Sequence, residues 1–100
     1  MYRFDPSRLD LVREFKAKPY GQHSPDLQYL LGLMRTPGDA PFHALFMTKT
    51  DEQWTVAMVD PTGTTPPALT NQVFDRLEDA EWAVFRLRWR ALAGADCPIE

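Results

Sequence analysis

Few side chains in this sequence could do chemistry, and they are scattered. Cys97 is the one thiol, and His23 and His43 are the two imidazoles, the residue types of a nucleophile and its base. Cys97 follows the last helical pattern, where no rigid scaffold is expected, so an inert thiol is the expected reading. The two histidines stand far apart with no His-x-x-His or Cys-x-x-Cys beside them, too few ligands for a metal site. His23 is expected to brace the turn it sits in. Glu78, Asp79 and Glu81 make an acidic cluster that the start of a helix and its dipole explain. No glycine-rich phosphate loop and no Gly-x-Ser-x-Gly occurs, which leaves nucleotide-binding and hydrolase motifs unrepresented. Arg86, Arg88 and Arg90 alternate between sides of one helix, a pattern suited to ion pairs. The residues thus offer no catalytic, cofactor-binding or metal site, and the chain reads as an accessory or binding protein, not an enzyme by itself.

Composition narrows the partners. The 100 residues, 44% hydrophobic and 25% charged, suit one compact domain over 1–100. A net charge of −3 and pI near 5.3 argue against nucleic acid and anionic membrane surfaces. No apolar stretch approaches the roughly 20 residues of a membrane helix, and the charged start lacks an apolar signal region. A single cysteine closes no intrachain disulfide, which suits a reducing, cytoplasmic setting.

The elements that must position these residues follow from periodicity and breakers. Leu9, Val12 and Phe15 predict an amphipathic helix over 8–18, capped by Asp5 or Ser7 and stopped at Pro19. Ser24-Pro25-Asp26 starts a second helix over 25–35 that buries Leu27, Leu30, Leu31 and Met34. A proline- and glycine-rich stretch over 36–41 ends it. The runs 42–48 and 54–59 read as strands of an antiparallel hairpin. Neither face of the second strand carries charge, which predicts that both are covered. Residues 60–72 read as a surface loop, and Val73-Phe74 as a short addition to the sheet edge. Asp75-Arg76-Leu77-Glu78 has the form of a capping box for a third helix over 76–93, which Gly94 stops. The expected fold is α+β: a helical hairpin (5–35), a two- or three-stranded antiparallel sheet with its loop (42–74), a C-terminal helix packed on it (75–94) and a tail (95–100).

The third helix carries two apolar stripes, Leu77, Ala80, Val84, Leu87 and Ala91 on one side and Trp82, Phe85, Trp89 and Leu92 on the other. One stripe packs on the sheet, and something must cover the second. Either helix one or two of the same chain does so, or the stripe is a partner interface of Trp82, Phe85, Arg86, Trp89 and Leu92, residue types that dominate interface energies.

Several stretches in order resemble a known family. They are Lys18-Pro19-Tyr20-Gly21, then His23-Ser24-Pro25 with Leu27-Gln28, the strand at Leu45-Phe46-Met47, Gln53-Trp54, Val73-Phe74, and Ala80 with Ala83-Val84-Phe85 leading into arginines. Together they are similar to the small (alpha) subunit of N,N-dimethylformamidase and its stand-alone relatives over about 18–90. The resemblance implies a partner protein: in that amidase the large subunit holds a mononuclear iron and hydrolyses the amide C–N bond, and the small subunit packs against it. It implies no catalytic residue here. Pro19, Tyr20, Gly21, His23, Ser24 and Pro25 would form a turn, and Ala83, Val84, Phe85, Arg86 and Arg88 would be packing or contact residues. The alternative is a free-standing homodimer joined through the third helix.

Overall fold

A computed structural model of the chain describes residues 4–19, 21–35, 41–49 and 53–99. Helix α1 (Leu9–Ala17) and α2 (Pro25–Arg35) precede strands β1 (Phe42–Lys49), β2 (Gln53–Val59) and β3 (Ala68–Phe74), and α3 (Leu77–Ala93) follows. The sheet is antiparallel in the order β1-β2-β3, so the α+β expectation holds with three strands. The expected breaker residues at 36–40 and most of the hairpin turn, at 50–52, lie outside the described residues.

The start of α2 matches the expectation to the residue. Ser24 carbonyl accepts from Gln28 N–H at 2.9 Å, Pro25 takes the first helical position, and Asp26 lies in the first turn. The other two starts differ. Arg8 caps α1 with no side-chain cap bond, because Asp5 Oδ1 is occupied by Ser7 N–H and Oγ–H at 2.9 and 2.6 Å, a turn just before the helix. Arg76, extended, caps α3, also without a side-chain bond, so the Asp75 to Glu78 capping box does not form; Arg76 instead faces Glu78 at 3.6 Å. Gly94 ends α3 with φ 77° and donates to Arg90 carbonyl at 2.8 Å, the left-handed reversal that glycine permits.

The loop after β2 is shorter than expected. Asp60 organises its start, accepting from Thr62 and Thr65, but Ala68 already pairs with Met58 and Leu69 with Ala57. A register irregularity opposite the Thr55 to Ala57 segment separates these pairs from Val73 and Phe74, and Thr70 Oγ1 donates to Val56 carbonyl at 2.8 Å there. That irregularity breaks the period-two pattern by which a strand is recognised.

The core lies around α3, which is layered between the sheet and the helical hairpin. Ala80 and Val84 are buried on one side. On the other, Phe85 and Trp89, each 2% exposed, join Leu11, Val12 and Phe15 of α1 and Leu27, Leu30, Leu31 and Met34 of α2 in one cluster. Phe15 stacks on Phe85 with ring centroids 4.4 Å apart and 17° between planes. Phe85 stacks in turn with Trp82 at 5.7 Å and Trp89 at 6.3 Å, and Phe4 meets Trp89 edge-on at 5.2 Å. The centre of the second stripe, Phe85 and Trp89, is therefore covered from within the chain by α1 and α2, while Leu92 at its end stays exposed. Past Gly94 the tail turns back, and Cys97 and Ile99 pack onto the same cluster, giving the thiol a scaffold that its place in the sequence did not suggest.

Replacing Trp89 with alanine is expected to cost about 3–5 kcal/mol, the range for deleting a buried large aromatic, read as a fall in the urea midpoint of the isolated chain. A loss under about 1 kcal/mol would place Trp89 outside the core.

Candidate functional site

Two regions gather the residues singled out in the sequence: the joint between α1 and α2, and the two faces of α3. At the joint, Ser24 N–H and Oγ–H donate to Glu14 Oε2 and Oε1 at 2.7 and 2.6 Å. This pins the last turns of α1 to the start of α2. Both bonds favour the ionised carboxylate and hold Glu14 below the usual glutamate pKa, the side-chain bond first and the backbone bond second. His23 Nε2 donates to Lys18 carbonyl at 2.8 Å, and Gln28 Nε2 donates to His23 carbonyl at 2.7 Å. The imidazole also lies 6.0 Å from the Phe15 ring. Gly21, with φ 100°, supplies the reversal, and an added Cβ would meet the Lys18 side chain at 3.0 Å. His23 thus braces the joint, as the sequence suggests. Tyr20 lies outside the described residues.

A second tie crosses the same hairpin. Arg8 donates from Nε and a terminal nitrogen to the two Asp10 oxygens at 3.0 Å, and from the other to Asp26 Oδ2 at 3.1 Å. These bonds lower Asp10 and raise Arg8 from their ordinary values. The group is open to solvent, so it fixes geometry more than it adds stability.

A recess of about 440 Å³ opens beside the joint, lined by Pro19, Gly21, His23, Gln28, Leu31, Arg35 and Glu81. Glu81 and Arg88 occupy one strip between the stripes of α3. Burial pushes the Glu81 carboxyl up, against the pull of Arg88 and Arg35. Burial lowers Arg88, helped by Arg35. Arg88 Nε donates to His43 carbonyl at 3.0 Å, tying α3 to edge strand β1. Burial, and then the Arg88 charge, lower His43.

These groups do not assemble a catalytic set. Cys97 lines a recess with Gln72, Ala83, Leu87 and Asp96, while His23 sits at the α1–α2 joint and His43 on β1. Among the described residues no group of three or more His, Cys, Asp or Glu could hold a metal ion. No helix among them is long and apolar enough to cross a membrane.

Of the five residues expected at an interface, Phe85 and Trp89 are interior and Trp82 is half-buried with Lys16 Nζ 5.4 Å from its ring centroid. Arg86 and Leu92 are exposed. Sequence reasoning missed the Ser24–Glu14 clamp, since a glutamate ten positions before a serine gives no periodic sign.

A family model described as N,N-dimethylformamidase alpha subunit matches residues 6–97. No curated protein matches the chain.

Glu14→Gln tests the clamp. A carboxyl whose folded pKa is depressed contributes stability above its unfolded pKa, and that contribution is lost as pH falls through the folded value. The variant is expected to be about 1–2 kcal/mol less stable at pH 7, allowing for partial exposure, with the gap narrowing as pH drops below the ordinary glutamate range. Equal stability of the two proteins at pH 7 in thermal melts contradicts the clamp.

Proposed function

The chain belongs to the N,N-dimethylformamidase alpha subunit family, and from that membership we propose that it is a non-catalytic small subunit that packs on and stabilises a larger amidase chain. The observation that carries this reading is the span of the family match, which takes in all six elements of the fold. The larger chain holds the iron and performs C–N bond hydrolysis; this one contributes shape. The α1–α2 joint supports such a role, because its polar groups are taken up within the chain, Ser24 by Glu14, Gln28 by the His23 carbonyl and the His23 ring by the Lys18 carbonyl. Of the five residues expected at an interface, those a partner can reach are Arg86, Leu92 and the open side of Trp82.

Affinity copurification of the tagged chain from its native cells in mild salt, with bound proteins identified by mass spectrometry, tests the reading. The expected result is a near-stoichiometric larger chain that carries iron. Recovery of the chain alone, as a monomer or as a homodimer, contradicts it.

A further inference from the structure

Where the last turns of α2 and α3 meet the β1–β2 hairpin, the layers leave a recess of about 250 Å³. Leu33, Met34, Phe42, Met58 and Leu92 give it apolar walls, and Arg88 and His43 are its polar groups. His43 and Met58 sit opposite each other across β1 and β2, so one side of the recess is sheet and another is α3. A dry apolar cavity of about 150 Å³ is enough to hold benzene, so this space suits a body of roughly six to ten non-hydrogen atoms.

Arg88 decides the charge of what fits there. Its Nε donates to the His43 carbonyl at 3.0 Å, which fixes the guanidinium beside the recess it lines. Among the described residues no carboxylate forms an ion pair with Arg88, and no acceptor takes its two terminal nitrogens. Those nitrogens are not sealed in, since no fully buried side-chain nitrogen among the described residues lacks a partner. Burial is the largest influence lowering Arg88, and repulsion from Arg35 comes next, ahead of the pull of Glu81. The cation therefore stands in a partly desolvated place where the neighbouring charges repel it on balance, and an added anion is favoured. Burial, and then the Arg88 charge, hold His43 below its ordinary value, so at pH 7 its ring is neutral and offers one N–H donor.

The two terminal nitrogens of a guanidinium match the two oxygens of a carboxylate. A phosphate would find no second cation in the lining and would leave the apolar walls unfilled, and a neutral ligand would leave Arg88 uncompensated. Apolar walls with a few convergent polar groups are the usual make-up of a small-molecule site. We infer that this recess binds a small monocarboxylate with a compact apolar body, the carboxylate on the terminal nitrogens of Arg88 and the body against Met34, Phe42 and Met58. Every group involved belongs to this chain, so the inference holds with or without the subunit reading above.

Titration of the full chain with hexanoate and with benzoate at pH 7, followed by NMR of the methionine methyl groups, tests it. The expected result is saturable shifts at Met34 and Met58, which line the recess, with Met47, which lies outside it, unmoved. Hexanamide and benzamide keep the body and lose the charge, and acetate keeps the charge and loses the body; each is expected to bind at least about tenfold more weakly than the matching acid. Arg88→Gln removes the charge from the site, and Leu92→Glu sets a carboxylate at an exposed position on its rim. Both are expected to weaken hexanoate binding at least about tenfold, with the melting temperature of Leu92→Glu unchanged. If Arg88→Gln does not fold, Leu92→Glu and the amides decide the matter. No saturable shift at Met34 and Met58 with either acid overturns the inference, as do amides that bind as tightly as the acids. Acetate binding as tightly as hexanoate overturns the apolar part of the site, and full-strength hexanoate binding by a folded Leu92→Glu overturns its placement.

Discussion

The contact on which the rest of this fold depends is the stack of Phe15 on Phe85, 4.4 Å between centroids. It joins α1 to α3 at the centre of the main cluster, and the Trp82 and Trp89 rings extend it along α3. With one side of α3 held this way, its other side, Ala80 and Val84, is free to lie on the sheet. A helix with two apolar sides is stable only between two layers, and the α1–α2 hairpin is the second layer. The polar bonds at the hairpin follow from that need: Ser24 on Glu14 and His23 on Lys18 hold the two short helices at the angle that presents Phe15 and Leu31 to α3. Short isolated helices are marginal in water, so the clamp and the aromatic stack support each other.

The charged residues of α3 divide along the strips between its layers. Arg90 reaches Asp96 at 3.3 Å in the open. Arg88 turns inward and gives its Nε hydrogen to the carbonyl of His43, and Glu81 sits in the same half-buried strip. Desolvation costs both of them, and the hydrogen bond and their mutual attraction offset part of it. Among the described residues the large apolar side chains left exposed are Phe46, Met47, Leu69 and Val73 on the outer strands, Tyr29 on α2 and Leu92 on α3.

Much of this was legible in the sequence where local rules agreed and no tertiary contact competed with them. Ser24-Pro25-Asp26 predicted the start of α2 to the residue, since capping, proline and dipole agree there. Phe42 and Val59 bounded the hairpin because β-branched and aromatic residues are dense between breakers. The double stripe of α3 was visible from spacing, but which chain covers it was not: Phe15 lies seventy positions from Phe85, and no local rule pairs them. The helix starts one residue later than the capping box at Asp75 requires, with Arg76 at the cap and no side-chain cap bond. Most of β3 was hidden by the irregularity opposite Val56, while the absence of charge on both faces of β2 agrees with the burial of Val56 on one face and of Thr55 and Ala57 on the other. The turn at His23 was legible as a turn, while its partner Glu14 was not.

The most direct measurement of the central claim is a double-mutant cycle on Phe15→Leu and Phe85→Leu in urea denaturation, conservative changes that leave the fold able to form. If α3 is held between the layers by this stack, the two losses will fall short of additive by about 0.5–1.5 kcal/mol, the worth of an aromatic pair beyond its buried area. Losses that simply add would show that the rings act independently, and the layered account of α3 would then be contradicted.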